Sequence, residues 1–163
     1  MKKAPTPKNE KERIEAVHKF AILDTNPEER FDLLIKEAVE KLKVPMSSLT
    51  ILDSDREWFK SYQGLEEKEG DRSISFCGHA LLASDIFIVE DTLKDERFLD
   101  NPMVIGKPFV RFYAGIALFD RKHKTGLPIG VFCVKDTKPR KFDVEEMSIL
   151  IDLAIRAEKE LNK

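Results

Sequence analysis

The stretch from Phe109 to Asp120 constrains the fold most, because it alternates, and only a strand turns alternate residues to opposite faces. Val110, Phe112, Ala114, Ile116 and Leu118 make one side continuously apolar, which calls for a layer of helices against it. The other side carries Arg111, Tyr113, Gly115, Ala117 and Phe119. Small residues beside Arg and Tyr leave volume and polar handles, as an orienting pocket requires. The same residues also suit a plain surface on which Arg111 pairs with a carboxylate.

Helical and strand patterns flank this strand in a definite order. Asn9 with Glu12 predicts a capping box opening a short helix through Phe20, with Ile14, Val17 and Ala21 on one side. Asn26-Pro27-Glu28-Glu29 predicts a second start, after which Phe31, Leu34, Ile35, Ala38 and Leu42 recur at helical spacing until Val44-Pro45. The period then becomes two: Ser48–Asp53 and Glu57–Gln63 read as a hairpin across Ser54-Asp55-Arg56. Ser75–Ala83 reads as a short helix, Ile86–Glu90 as a strand, and Thr92–Ile105 as a long loop holding a helical turn. Leu127–Lys135 runs back beside the long strand, and Asp143 with Glu146 caps a final helix. This order describes an α+β domain around a central antiparallel sheet. Residues 1–8, rich in Lys and Pro, read as a flexible tail, and 9–163 as one domain.

Charge and composition remove several function classes. Lys+Arg 28 against Asp+Glu 30 gives a net charge of -2, without the basic excess a nucleic-acid partner requires. Uncharged apolar runs such as Ile86–Val89 fall far short of a membrane span. Met1–Lys8 is basic with no apolar segment behind it, unlike a secretory signal. Two cysteines in unlike surroundings make no disulfide framework, so a cytoplasmic location is expected.

Cys77 and His79 are the only close Cys/His pair; Cys133, His18 and His123 stand apart, so spacing supplies no metal set. A buried structural thiol beside a hydrogen-bonding imidazole is the preferred reading. Catalysis by Cys77 would need a base and an oxyanion site, and His79, two residues away, points elsewhere on a regular helix. No catalytic residue is therefore assigned. Trp58 and Phe59 must face opposite ways, one into the core and one to an edge or partner surface. Asp91, Asp95, Glu96 and Asp100 suit loop caps or solvated charges. On the last helix Met147, Leu150, Ala154, Ala157 and Leu161 step by 3, 4, 3 and 4, with Ile151, Leu153 and Ile155 widening the arc. Part of that face must pack on the sheet, and Leu150, Ala154, Ala157 and Leu161 are expected to join a second subunit.

Three blocks carry a resemblance: Asp71-Arg72-Ser73-Ile74-Ser75-Phe76-Cys77-Gly78-His79-Ala80, Phe98-Leu99-Asp100-Asn101-Pro102, and Val110-Arg111-Phe112-Tyr113-Ala114-Gly115. With Ile22–Thr25, Asp53–Ser61 and Ile129–Asp136 they resemble, in order and spacing, the GAF domains at the head of bacterial sensor histidine kinases and diguanylate cyclases. The resemblance implies a central antiparallel sheet of five to six strands, terminal helices on one face, and loops covering a pocket on the other. It implies a small-molecule site drawn from Phe76, Cys77, His79, Asp91, Phe98, Arg111 and Tyr113. It also implies a regulatory role without catalysis and a histidine kinase or diguanylate cyclase as effector, while the seam of the last helix points to a homodimer. Gly78 follows Cys77, so the Cys-His pair of bilin attachment is absent, as is the Asn-Lys-Phe-Asp-Glu signature of cyclic-nucleotide binders. Two cysteines 56 positions apart fit poorly the methionine-sulfoxide reductase branch with its clustered cysteines. The sequence requires no cofactor and names none. Two other readings remain: a ligand-free structural dimerisation domain, and a thiol-based redox sensor or enzyme using Cys77.

Overall fold

The computed structural model describes residues Met1–Lys163. Six strands form one sheet: β1 (Met46–Leu52), β2 (Arg56–Gln63), β3 (Glu69–Asp71), β4 (Phe87–Val89), β5 (Phe112–Phe119) and β6 (Pro128–Asp136). Their order is β3-β2-β1-β6-β5-β4, and every neighbouring pair is antiparallel. The helices are α1 (Glu10–Phe20), α2 (Glu29–Leu42), α3 (Phe76–Ala80), α4 (Pro102–Ile105) and α5 (Val144–Leu161). The α+β class and the antiparallel sheet expected from the sequence are thus observed.

One sheet face packs on α1, α2 and α5. Phe31, Leu34, Ile35, Ala38 and Leu42 of α2 are all buried there, together with Phe112, Ala114 and Leu118 of β5 and Phe132 of β6. Each such Leu, Ile or Phe contributes roughly 1.5–3 kcal/mol on burial. Val110 departs from the expected pattern. It precedes β5 and joins the apolar cluster on the opposite face, because Arg111 lies outside the strand and the alternation begins only at Phe112.

The helix starts correct two expectations. Asn9 makes no side-chain cap; Glu10 takes the structural role, accepting from Arg13 at 2.8 and 3.0 Å and pairing with Arg72. The buried face of α1 is Arg13, Ala16 and Val17, while Ala21 ends the helix in the left-handed region at φ 57. The second helix begins at Glu29, not at Pro27, because the buried Lys60 ammonium holds the preceding segment extended. Lys60 Nζ donates to Thr25 Oγ1 and to the Asn26 carbonyl and pairs with Glu28 at 2.8 Å. The Asp143–Glu146 capping box of α5 forms as expected.

Leu150, Ala154, Ala157 and Leu161 all lie in the intramolecular core, between 0% and 4% exposed. The apolar residues that α5 leaves outside are Val144, Ile151 and Ile155. The tail lies across α3 and the loop before α4. Lys2 N–H donates to the Arg97 carbonyl at 3.1 Å, the Lys2 carbonyl lies 3.2 Å from His79 Nε2, and the Met1 ammonium pairs with Asp100.

Candidate functional site

The face opposite the long helices is covered by α3, α4 and the segments around them, which anchor through local polar contacts. Ser75 caps α3 by accepting from the Gly78 N–H at 3.1 Å, and its hydroxyl donates to the buried Glu57. Asn101 caps α4 through Met103 N–H at 2.8 Å and donates to the Ile74 carbonyl at 2.9 Å, joining the two covers. Arg111 donates to the Val104 carbonyl at 2.8 Å, so its guanidinium holds the α4 backbone and pairs with no carboxylate. Asp91 caps the helical turn Thr92–Lys94 by accepting from Leu93 N–H at 3.1 Å.

Of the residues singled out in sequence, Phe76, Cys77, Phe98 and Tyr113 come together and are 0% exposed. The Phe76 and Phe98 rings stack at 4.3 Å, and Tyr113 stacks on Phe76 at 5.3 Å. His79 meets Phe98 edge-on at 4.8 Å, at the margin under the tail, where burial lowers its pKa despite the Lys2 carbonyl. Asp91 and Arg111 act on backbone elsewhere in the cover. None of these residues lines any of the four principal cavities.

Cys133 stands apart in spacing, yet its Sγ lies 3.7 Å from Cys77 Sγ, a separation of 56 residues closed by α3 folding onto β6. The Tyr113 hydroxyl donates to Cys77 Sγ at 3.1 Å, and Ser48 Oγ lies 3.1 Å from Cys133 Sγ. Burial pushes Cys77 well up. The Cys77 contact, helped by Lys135 and Ser48 against burial, brings Cys133 down to about 7. No group of three or more His, Cys, Asp or Glu side chains converges as metal ligands would.

The open space lies further along the same face. A cavity of about 400 Å³ runs between the β2–β3 end of the sheet and the segment from α4 to Phe109. Glu57 and Lys135, each 3% exposed, are its buried polar residues. Phe59, Leu65, Met103, Pro108 and Phe109 supply apolar wall, and Glu66, Glu67, Glu69 and Lys107 stand at the rim. Lys135 has no hydrogen-bond or ion-pair partner. Burial opposes its charge, but the neighbouring Cys133 and Glu57 outweigh that and raise its pKa, so it stays an ammonium. The sequence did hold a signal for it: Val131, Cys133 and Lys135 alternate onto one face of β6, so a charge had to follow two buried residues inward. Phe59 is the residue that faces this space, while Trp58 enters the main core.

A family model for the GAF domain matches residues 26–161. The chain belongs to the GAF domain family. It is 37% identical over 136 residues to a cyclic di-GMP phosphodiesterase of Pseudomonas aeruginosa, covering 83% of this chain and 23% of that protein. The chain thus spans under a quarter of that relative's length. The GAF domain of an Acinetobacter phosphoenolpyruvate-protein phosphotransferase superposes with a TM-score of 0.61 at 18% identity, over 92% of each chain. A free methionine-R-sulfoxide reductase from Neisseria meningitidis, solved with its substrate, gives 0.61 at 19% identity over 93% of this chain and 89% of that one. These structural likenesses establish the fold. GAF domains are regulatory sensory modules, and enzymes also occur on this fold. No helix is long and apolar enough to cross a membrane.

Proposed function

We propose that this GAF domain is a cytoplasmic, non-catalytic sensory module that binds a small molecule beneath its α3–α4 cover and relays the event through its terminal helices. The observation that carries the reading is the Glu57–Lys135 cavity, a concave space of ligand size with apolar walls and two buried polar groups. Phe76, Cys77, Phe98 and Tyr113 serve as the packed wall behind it, and Arg111, Asp91 and His79 hold the cover in place. Binding that favours one arrangement of the cover shifts the sheet and hence α5, which packs on the other face. The effector is a fused or partner signalling enzyme, a histidine kinase or an enzyme of cyclic di-GMP turnover such as a diguanylate cyclase. A homodimer forms through the exposed part of α5. Thermal melting against a metabolite panel tests this: a selective ligand raises the melting point in wild type, and less so in Lys135→Met. A panel without effect contradicts it, and self-association that is then lost on substitution of the exposed Ile151 and Ile155 by Glu favours a structural dimerisation domain.

The Cys77–Cys133 contact favours a second reading, a thiol sensor. Cys133 thiolate attacks hydrogen peroxide, the O–O bond breaks, and sulfenic acid and hydroxide form. Cys77 then attacks that sulfur and its proton leaves with the departing hydroxide as water, giving a disulfide of about 2.05 Å. The intact mass falls by two hydrogens after peroxide in wild type and not in Cys77→Ser; an unchanged wild-type mass removes the reading.

A further inference from the structure

We infer that the Glu57–Lys135 cavity takes a zwitterionic ligand of the amino-acid class, with its carboxylate on Lys135, its ammonium on Glu57 and an apolar side chain toward Met103 and Phe109. The inference rests on the sensory reading above and names the chemistry of its ligand. Lys135 is 3% exposed, lines the cavity, and lacks any partner inside the protein. The Cys133 and Glu57 charges sustain its ammonium from a distance, while its N–H donors lack a direct acceptor, a place that a ligand carboxylate can take. Glu57, equally buried, has one carboxylate oxygen engaged by Ser75 and makes no ion pair with Lys135. Opposite charges held apart on one cavity floor match a molecule carrying both signs at one end. A simple anion would leave Glu57 facing it at a cost, and a simple cation would meet Lys135.

The walls argue the rest. Phe59, Leu65, Met103, Pro108 and Phe109 offer apolar surface opposite the charged floor, so a side chain without charge is favoured. The rim acids Glu66, Glu67 and Glu69 outnumber Lys107, which repels ligands with a net negative charge such as nucleotides. A volume of about 400 Å³ suits one amino acid with room for water. Gly70 stands at the β3 side, where a Cβ would lie 3.5 Å from Glu57 Cγ and Oε1, an ordinary contact. A valine there fills the space beside Glu57 without disturbing the strand.

Isothermal titration of the full chain with L-methionine, L-leucine and L-phenylalanine, and with their N-acetyl and amide derivatives, tests the assignment. At least one free amino acid binds, and both its derivatives bind tenfold more weakly or worse. Lys135→Met, which removes a buried charge and keeps apolar volume, weakens the free amino acid at least tenfold and abolishes discrimination against the amide. Gly70→Val weakens it similarly while leaving Lys135 in place. Absence of binding by all three amino acids, equal binding of the derivatives, or binding that survives both substitutions overturns the inference. A metabolite of another class that stabilises wild type but not Lys135→Met rejects the zwitterion and retains the sensory reading; a panel with no active compound rejects both.

Discussion

The Tyr113 hydroxyl occupies the space that a side chain at Gly115 would take, and from there it donates to Cys77 at 3.1 Å. Read in sequence, the small residue beside Tyr and Arg promises a void. In the folded chain Tyr113 lies along its own strand and fills it. The hollow moves to Glu57 and Lys135, where Phe59 and Phe109 stand as wall and leave the space between them open. Gly115→Ala is therefore expected to destabilise the fold by about 1–3 kcal/mol through overpacking, since the new Cβ would lie 2.9 Å from Tyr113 Cζ. Urea unfolding measures it, and adding Tyr113→Phe restores part of the loss.

Acid stability follows from Glu10. Burial raises its pKa, but the Arg13 and Arg72 hydrogen bonds outweigh burial and bring it to about 2 from 4.5. A depressed carboxylate contributes stability that is complete above its unfolded pKa and lost as pH falls through its folded one. Solvent screening of this partly exposed carboxylate reduces the contribution from about 3 to about 2 kcal/mol, and it disappears between pH 4.5 and about 2. Glu10→Gln lowers stability at neutral pH and flattens the stability profile over that window in pH-dependent urea unfolding.

The faces of α5 separate assembly from folding. Ile151 and Ile155 are 42% and 58% exposed, whereas Leu161 is 4% exposed. Ile151→Glu with Ile155→Glu is expected to convert the proposed dimer to monomer in sedimentation equilibrium with little change in melting point. Leu161→Glu places an unpaired carboxylate in the core and costs about 3–5 kcal/mol, which thermal melting detects.

Arg140 joins three elements. It donates to the Leu42 carbonyl at 3.0 Å, to the Lys43 carbonyl at 3.3 Å and to Asp136 at 3.0 Å, closing the C-terminal end of α2 over Phe112. Arg140→Ala leaves those carbonyls unpaired and is expected to cost about 1–3 kcal/mol, measured by the shift in the urea midpoint.

Much of the scaffold was legible because burial and period coincide. The α2 stripe, both hairpins and the α5 cap follow from residue spacing alone. The short β3 was not, since Glu69-Gly70-Asp71 has no apolar residue and pairs only because β2 offers an edge. The α2 start was misplaced because Lys60, distant in sequence, claims the Asn26 carbonyl. The site was half legible. Phe76, Cys77, Phe98 and Tyr113 do converge, but whether aromatic rings stack shut or stand apart depends on rotamers that spacing does not encode. Glu57 and Lys135 lie on strands separated by β1, and only the folded sheet turns both toward one cavity.

Methyl-labelled methionine provides the most direct test, because Met103 lines the cavity while Met147 packs on the opposite core. On titration with a compound that raises the melting point, the Met103 methyl signal is predicted to shift most, saturating with the binding isotherm. A compound that binds yet leaves Met103 unmoved would contradict the placement of the ligand beside Glu57 and Lys135.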